Sequence, residues 1–124
     1  MRISCGTDII EINRIKDSIE NSDGKFLERV FTDAERQYCE SKKSQRYQHY
    51  AARFAAKEAV FKAISIKVED KYSICWKDIE ILNTEQGRPY VNLQRIEFDD
   101  IEQIDISVAH CKEYAIANVT VLWE

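Results

Sequence analysis

The stretch Arg53-Phe54-Ala55-Ala56-Lys57-Glu58-Ala59-Val60-Phe61-Lys62-Ala63 decides how this chain is read. It lies within Arg46–Ile66, a run without Gly or Pro that is rich in Ala, Lys, Glu and Arg. Such side chains lose little freedom in a helix, so the run predicts one long helix. At about 100° per residue, one arc gathers Tyr47, Tyr50, Ala51, Phe54, Ala55, Phe61 and Ser65. That arc is expected to face the core. Glu58 falls inside it, between Phe54 and Phe61. An unpaired carboxylate buried there would be costly, or would have to take up a proton, so a positive partner is expected. Three readings fit: a helix ion pair with Lys62, a buried structural salt bridge, or a metal ligand beside a phosphate site. On the helix alone the ion pair is the commonest arrangement. A basic row, Arg46, Arg53 and Lys57, runs beside the aromatic face.

Upstream, Arg2–Ile12 reads as a strand with Gly6 near its middle. A glycine inside a strand marks a bulge or a place where something approaches the backbone closely. Asp8 follows in an apolar neighbourhood; a strand-end or turn carboxylate is its plain structural reading. Asn13 is placed to cap a short helix through Ile15 and Ile19, which Ser22-Asp23-Gly24 ends. A second short helix, Phe26–Val30, precedes Thr32-Asp33-Ala34-Glu35, a capping box that starts a helix running to about Lys43.

Downstream the period changes. Trp76–Leu82 alternates, with Asp78 and Glu80 to one side and Ile79 and Ile81 to the other. Gln86-Gly87-Arg88-Pro89 is a turn leading into a return strand through Tyr90, Val91 and Leu93. Phe98–Gln103 is acidic and reads as irregular or a short helix. Ile104–His110 and Tyr114–Trp123 form a hairpin across Cys111-Lys112-Glu113. The fold class is α+β: helices packed on a mainly antiparallel sheet that the first strand joins, in a single domain spanning residues 1–124. His110 closes a strand just before a turn, where functional residues gather.

The chain has a net charge of −4, which argues against general nucleic-acid binding. Residues 36–62 nevertheless carry seven Lys/Arg against two Asp/Glu. That excess is either a solvated face or a surface for an anionic ligand or acidic partner. There is no apolar run of the roughly eighteen residues a membrane span needs. No secretory cleavage pattern opens the chain, and Cys5, Cys39, Cys75 and Cys111 are widely spaced. A cytoplasmic protein with reduced thiols is expected, without a zinc site or disulfide frame.

Five motifs together resemble one family, the holo-[acyl-carrier-protein] synthases, the short type of 4′-phosphopantetheinyl transferase. They are Gly6–Ile15, Arg53–Ala63, Trp76–Ile81, Gly87-Arg88-Pro89 and Ile106–His110, in the family's order and spacing along nearly the whole chain. The resemblance implies transfer of phosphopantetheine from coenzyme A to a serine of an apo acyl carrier protein, leaving adenosine 3′,5′-bisphosphate. It also implies Mg²⁺ and a homotrimer with active sites between subunits. By the same resemblance Asp8 and Glu58 are metal ligands and Lys62 stands by the reacting pyrophosphate. Arg53, Lys57, His110, Gly87 and Pro89 bind the coenzyme, and Arg14 holds the carrier protein. Thr7 and Val108-Ala109 depart from the usual pattern, and Ala109 has no hydroxyl to orient His110. Two separated carboxylates suit Mg²⁺, which keeps waters and phosphate oxygens as its other ligands. A metal-bound water and Glu58 both remain as acceptors of the serine proton. The competing reading is a non-catalytic module that docks an acidic partner through its basic helix.

Overall fold

The computed structural model describes residues 1–124. In chain order the elements are β1 (Arg2–Glu11), α1 (Ile12–Glu20), α2 (Lys25–Val30), α3 (Asp33–Glu40) and α4 (Arg46–Ile64), then β2 (Ile79–Asn83), β3 (Pro89–Leu93), β4 (Ile101–His110) and β5 (Tyr114–Trp123). The α+β class holds, but the strands form two sheets rather than one. One is three-stranded in the order β1-β5-β4, and β2 and β3 pair separately; both are antiparallel.

Helix α4 is the centre of the molecule. It packs on the inner face of β1 and β5, and it touches α1, α3 and β2 on its other sides. Eleven of its nineteen residues are buried. Ala55, Ala59, Ala63 and Val60 join one core cluster with Val119, Val121 and Trp123; Tyr50, Ala51 and Ala52 join a second with Ile12, Ile15 and Phe31. A helix enclosed on most sides has no single apolar stripe. The expected arc is therefore only part of the buried surface: Tyr50, Ala51 and Ala55 are buried as expected, Phe54, Glu58 and Phe61 are half-buried, and Arg53 and Lys57 lie inside as well.

Gly6 explains how close helix and sheet can come. A Cβ built on it would stand 1.8 Å from the Ala59 carbonyl oxygen. The close approach expected at this glycine is thus the backbone of α4 itself. Strand alternation then points Ser4, Gly6, Asp8 and Ile10 toward the helix and Ile3, Cys5, Thr7 and Ile9 outward. Ser4 donates to the Ala63 carbonyl (2.7 Å) and accepts from the Trp123 indole (2.8 Å), fixing the same contact.

The Thr32 capping box is present, and its Glu35 does more than cap. Glu35 is fully buried; Oε1 accepts from the Thr32 N–H and Oε2 from the Ile81 N–H, both at 2.8 Å. Several local expectations shift. Helix α1 begins at Ile12 after Glu11, so Asn13 is inside it and does not cap. Helix α3 ends at Glu40, and Trp76–Asp78 is a helical turn that delays β2 to Ile79. Asp78 and Glu80 are buried rather than on an open face, because each is satisfied. Arg95 grips Asp78 through two nitrogens at 2.7 and 2.9 Å, and Glu80 accepts from Thr32, Asn92 and Gln94. The acidic segment expected to be irregular or helical becomes strand from Ile101.

Candidate functional site

The site residues fall into two groups on different sides of α4. The first joins β1 to the helix. Asp8 points inward from β1, and Lys62 Nζ lies 3.2 Å from its Oδ1 while also donating to the Thr7 carbonyl at 2.9 Å. Asp8 is 18 % exposed and Lys62 is 50 % exposed, so the ammonium still reaches solvent. Glu58 stands one turn before Lys62, half-buried. Burial raises its pKa first, the charge of Asp8 adds to the rise, and Lys62 opposes it. Two carboxylates close enough to repel, with one lysine paired to Asp8, leave negative charge that a cation would relieve. The expected Glu58–Lys62 pair therefore resolves differently: Lys62 pairs with Asp8, and Glu58 makes no ion pair.

The donor set is two carboxylate oxygens, with no cluster of three or more His, Cys, Asp or Glu. It fits Mg²⁺, which needs only one or two protein carboxylates when water and phosphate supply the rest. It does not fit a cation that requires a full protein cage.

The second group lines a cavity of about 190 Å³ between α3, α4, the β2–β3 turn and β4. Arg53, Gly87, Pro89 and His110, four of the five expected coenzyme residues, meet here. Arg53 is 5 % exposed; its terminal nitrogen donates to Asn83 Oδ1, and its guanidinium lies 4.1 Å from the centre of the Tyr38 ring. Asn83 in turn donates to the Gly87 carbonyl at 3.1 Å, so it ties Arg53 to the turn. Gly87 has φ +84°, the left-handed backbone that lets this turn form without strain.

Lys57 corrects the expectation drawn for it. It does not line the Arg53 cavity. Its ammonium is fully buried, 2.8 Å from Glu35 Oε1, and donates to the Trp76 and Ile79 carbonyls at 3.1 and 2.7 Å. All three of its protons are committed, so none is left for a phosphate. Burial pushes its pKa down, with the Glu35 carboxylate opposing. Lys57 binds α4 to α3 and to the start of β2. With Lys57 and Arg53 inside, α4 keeps only Arg46 and Lys62 as exposed basic groups, so the basic row expected for a docking face is largely lost.

Residues 4–119 match the 4′-phosphopantetheinyl transferase superfamily. The holo-[acyl-carrier-protein] synthase of Ruminiclostridium cellulolyticum is 47 % identical over 98 % of this chain and 92 % of its own. The chain belongs to the holo-[acyl-carrier-protein] synthase family. Two solved members share the architecture. The Bacillus anthracis synthase, in complex with CoA (3′,5′-ADP), has a TM-score of 0.79 at 34 % identity, covering 98 % of this chain and 96 % of its own. The Helicobacter pylori synthase, in complex with coenzyme A, has a TM-score of 0.80 at 31 % identity, covering 95 % and 99 %.

Within this synthase fold Arg14 lies exposed on α1, apart from both groups. Sequence reasoning missed Tyr38, His49 and Asn83, which all line the Arg53 cavity. His49 was open to detection, since it stands one turn before Arg53 on one helix. Asn83 and Tyr38 were not, because their place depends on how β2 and α3 pack on α4.

Proposed function

We propose that the chain transfers 4′-phosphopantetheine from coenzyme A to a serine of an apo acyl carrier protein, with Mg²⁺ held by Asp8 and Glu58. The family supports the reaction. The observation that carries the site is the Asp8–Lys62 pair beside a half-buried Glu58 of raised pKa. A docking module needs neither carboxylate. Mg²⁺, when bound, supplies positive charge to the pyrophosphate oxygens under attack.

The chain's own residues do the rest. Lys62 has one proton free of Asp8 and Thr7, and its exposed ammonium can hold a phosphate oxygen of the leaving adenosine bisphosphate. Arg53 and His110 offer cationic and polar contacts to the coenzyme, and the Gly87–Pro89 turn offers backbone and an apolar ring edge. Arg14 draws in the acidic carrier. Placing donor and serine in line is then the main source of rate.

Assembly as a homotrimer completes this reading. Glu58 follows Arg53 by five positions, which turns it about 140° around the helix. The metal carboxylates and the coenzyme cavity thus face different sides of one chain. A neighbouring copy that sets its carboxylates against this chain's cavity joins them into one site. The outer face of the three-stranded sheet is suited to such packing, with Ile3 at 63 %, Ile9 at 61 % and Ile116 at 40 % exposure. Asp8→Asn and Glu58→Gln are each expected to stay folded and lose transfer by at least about a hundredfold. Wild-type turnover by both variants at low Mg²⁺ would refute the assignment.

A further inference from the structure

The cavity around Arg53 is also lined by His49. His49, half-buried on α4, meets the His110 ring edge-on at 5.9 Å between centroids and the Tyr38 ring at 5.7 Å. Beside it, Arg53 Nε is buried and has no hydrogen-bond partner. A buried N–H without an acceptor is costly, so the cavity lacks an acceptor that a ligand can bring. The charged groups facing His49 are all basic: Arg53 on α4, Lys42 just beyond α3, and His110 on β4. The Tyr38 phenol of α3 is the remaining titratable neighbour. Burial, reinforced by these neighbours, keeps the His49 pKa below its ordinary value. The missing partner is an anion.

Coenzyme A carries two kinds of phosphate. Its pyrophosphate bridge belongs with Asp8, Glu58 and Lys62, where the bond is broken. Its other phosphate is a monoester on the ribose, and a monoester loses its second proton near pH 6, in the range of imidazole. Resting on the coenzyme reading above, we propose that His49 is a specificity-determining residue: with Arg53 and His110 it grips the ribose phosphate monoester and sets the preference for coenzyme A over dephospho-coenzyme A. His49 is then neutral in the free protein near pH 7 and takes up a proton as the dianion enters. The preference is strongest where His49 is charged, and it declines as pH rises.

The test measures transfer to an apo acyl carrier protein from coenzyme A and from dephospho-coenzyme A, in wild type and His49→Gln, from about pH 5.5 to about pH 8. A charge-assisted hydrogen bond is worth about tenfold or more in binding. The ratio of kcat/KM for the two donors is expected to drop about tenfold in the variant at the acid end, through KM, and its pH dependence to flatten. Equal losses on both donors, or an unchanged ratio, would overturn the proposal. A variant that fails to fold leaves the wild type to decide, through the His49 titration followed by NMR. Coenzyme A should raise its midpoint more than dephospho-coenzyme A does; equal midpoints would overturn the proposal. If the wild type transfers from neither donor, the transferase reading is at fault, and the titration alone judges His49.

Discussion

Replacing Lys57 with methionine separates a structural lysine from a coenzyme ligand. Its ammonium and the Glu35 carboxylate are both fully buried at 2.8 Å. Removing one partner leaves the other charge uncompensated, a loss of about 3–5 kcal/mol. The Trp76 and Ile79 carbonyls lose their donor as well. For a domain of this size 1 kcal/mol moves Tm by about 3–5 °C, so Lys57→Met should lower Tm by about 10–20 °C. Glu35→Gln should cost less, because an amide oxygen can still accept from the Ile81 N–H. The double variant should lose clearly less than the two single losses added together, since the pair is one unit. The assays are thermal unfolding and the KM for coenzyme A, measured well below the lowered Tm. KM should stay within about twofold of wild type. A variant with wild-type Tm and a KM raised tenfold or more would show that Lys57 is a coenzyme ligand and that its buried pairing has been misread.

Four further outcomes follow from the same geometry. Gly6→Ala drives a methyl into the Ala59 carbonyl and should cost about 3 kcal/mol, with transfer lost as β1 and α4 separate; wild-type stability would refute the close approach. The Glu58 pKa is raised in the folded protein, so without metal the carboxylate's contribution to stability declines as pH rises from its ordinary value through the raised one. Glu58→Gln should abolish that decline and should also abolish the rise in Tm with Mg²⁺; unfolding curves with and without metal check both. Arg14→Glu should raise KM for the carrier about tenfold and leave KM for coenzyme A alone, the effect fading as salt shortens the screening length below about 8 Å. Ile116→Glu places a charge on the outer sheet face and should dissociate the trimer, which light scattering would show as a monomer without activity.

How much of this was legible in sequence depended on whether local rules or packing decided the matter. The Thr32 capping box and the strands β1, β3 and β5 follow from local pattern and were readable. Gly6 announced a close approach without naming what approaches. The surroundings of Arg53 and Lys57 were not readable, because an arc drawn on one helix assumes one buried side, and α4 is enclosed on several. Lys57 looked like a free cation since its partner, Glu35, lies 22 positions away on another helix and already served as a capping residue. Alternation set Asp78 and Glu80 on one side of the strand without saying what meets them; Arg95, Asn92, Gln94 and Thr32 are what allow them inside. The five motifs carried the family, and the family carried Asp8, Glu58 and Lys62. The structure alone added Tyr38, His49 and Asn83.

The most direct measurement is the intact mass of an apo acyl carrier protein before and after incubation with this protein, coenzyme A and saturating Mg²⁺. A gain of one phosphopantetheine on the carrier's serine is expected, absent with Asp8→Asn or Glu58→Gln. An unchanged mass across several bacterial apo carrier proteins, with a folded enzyme, would contradict it.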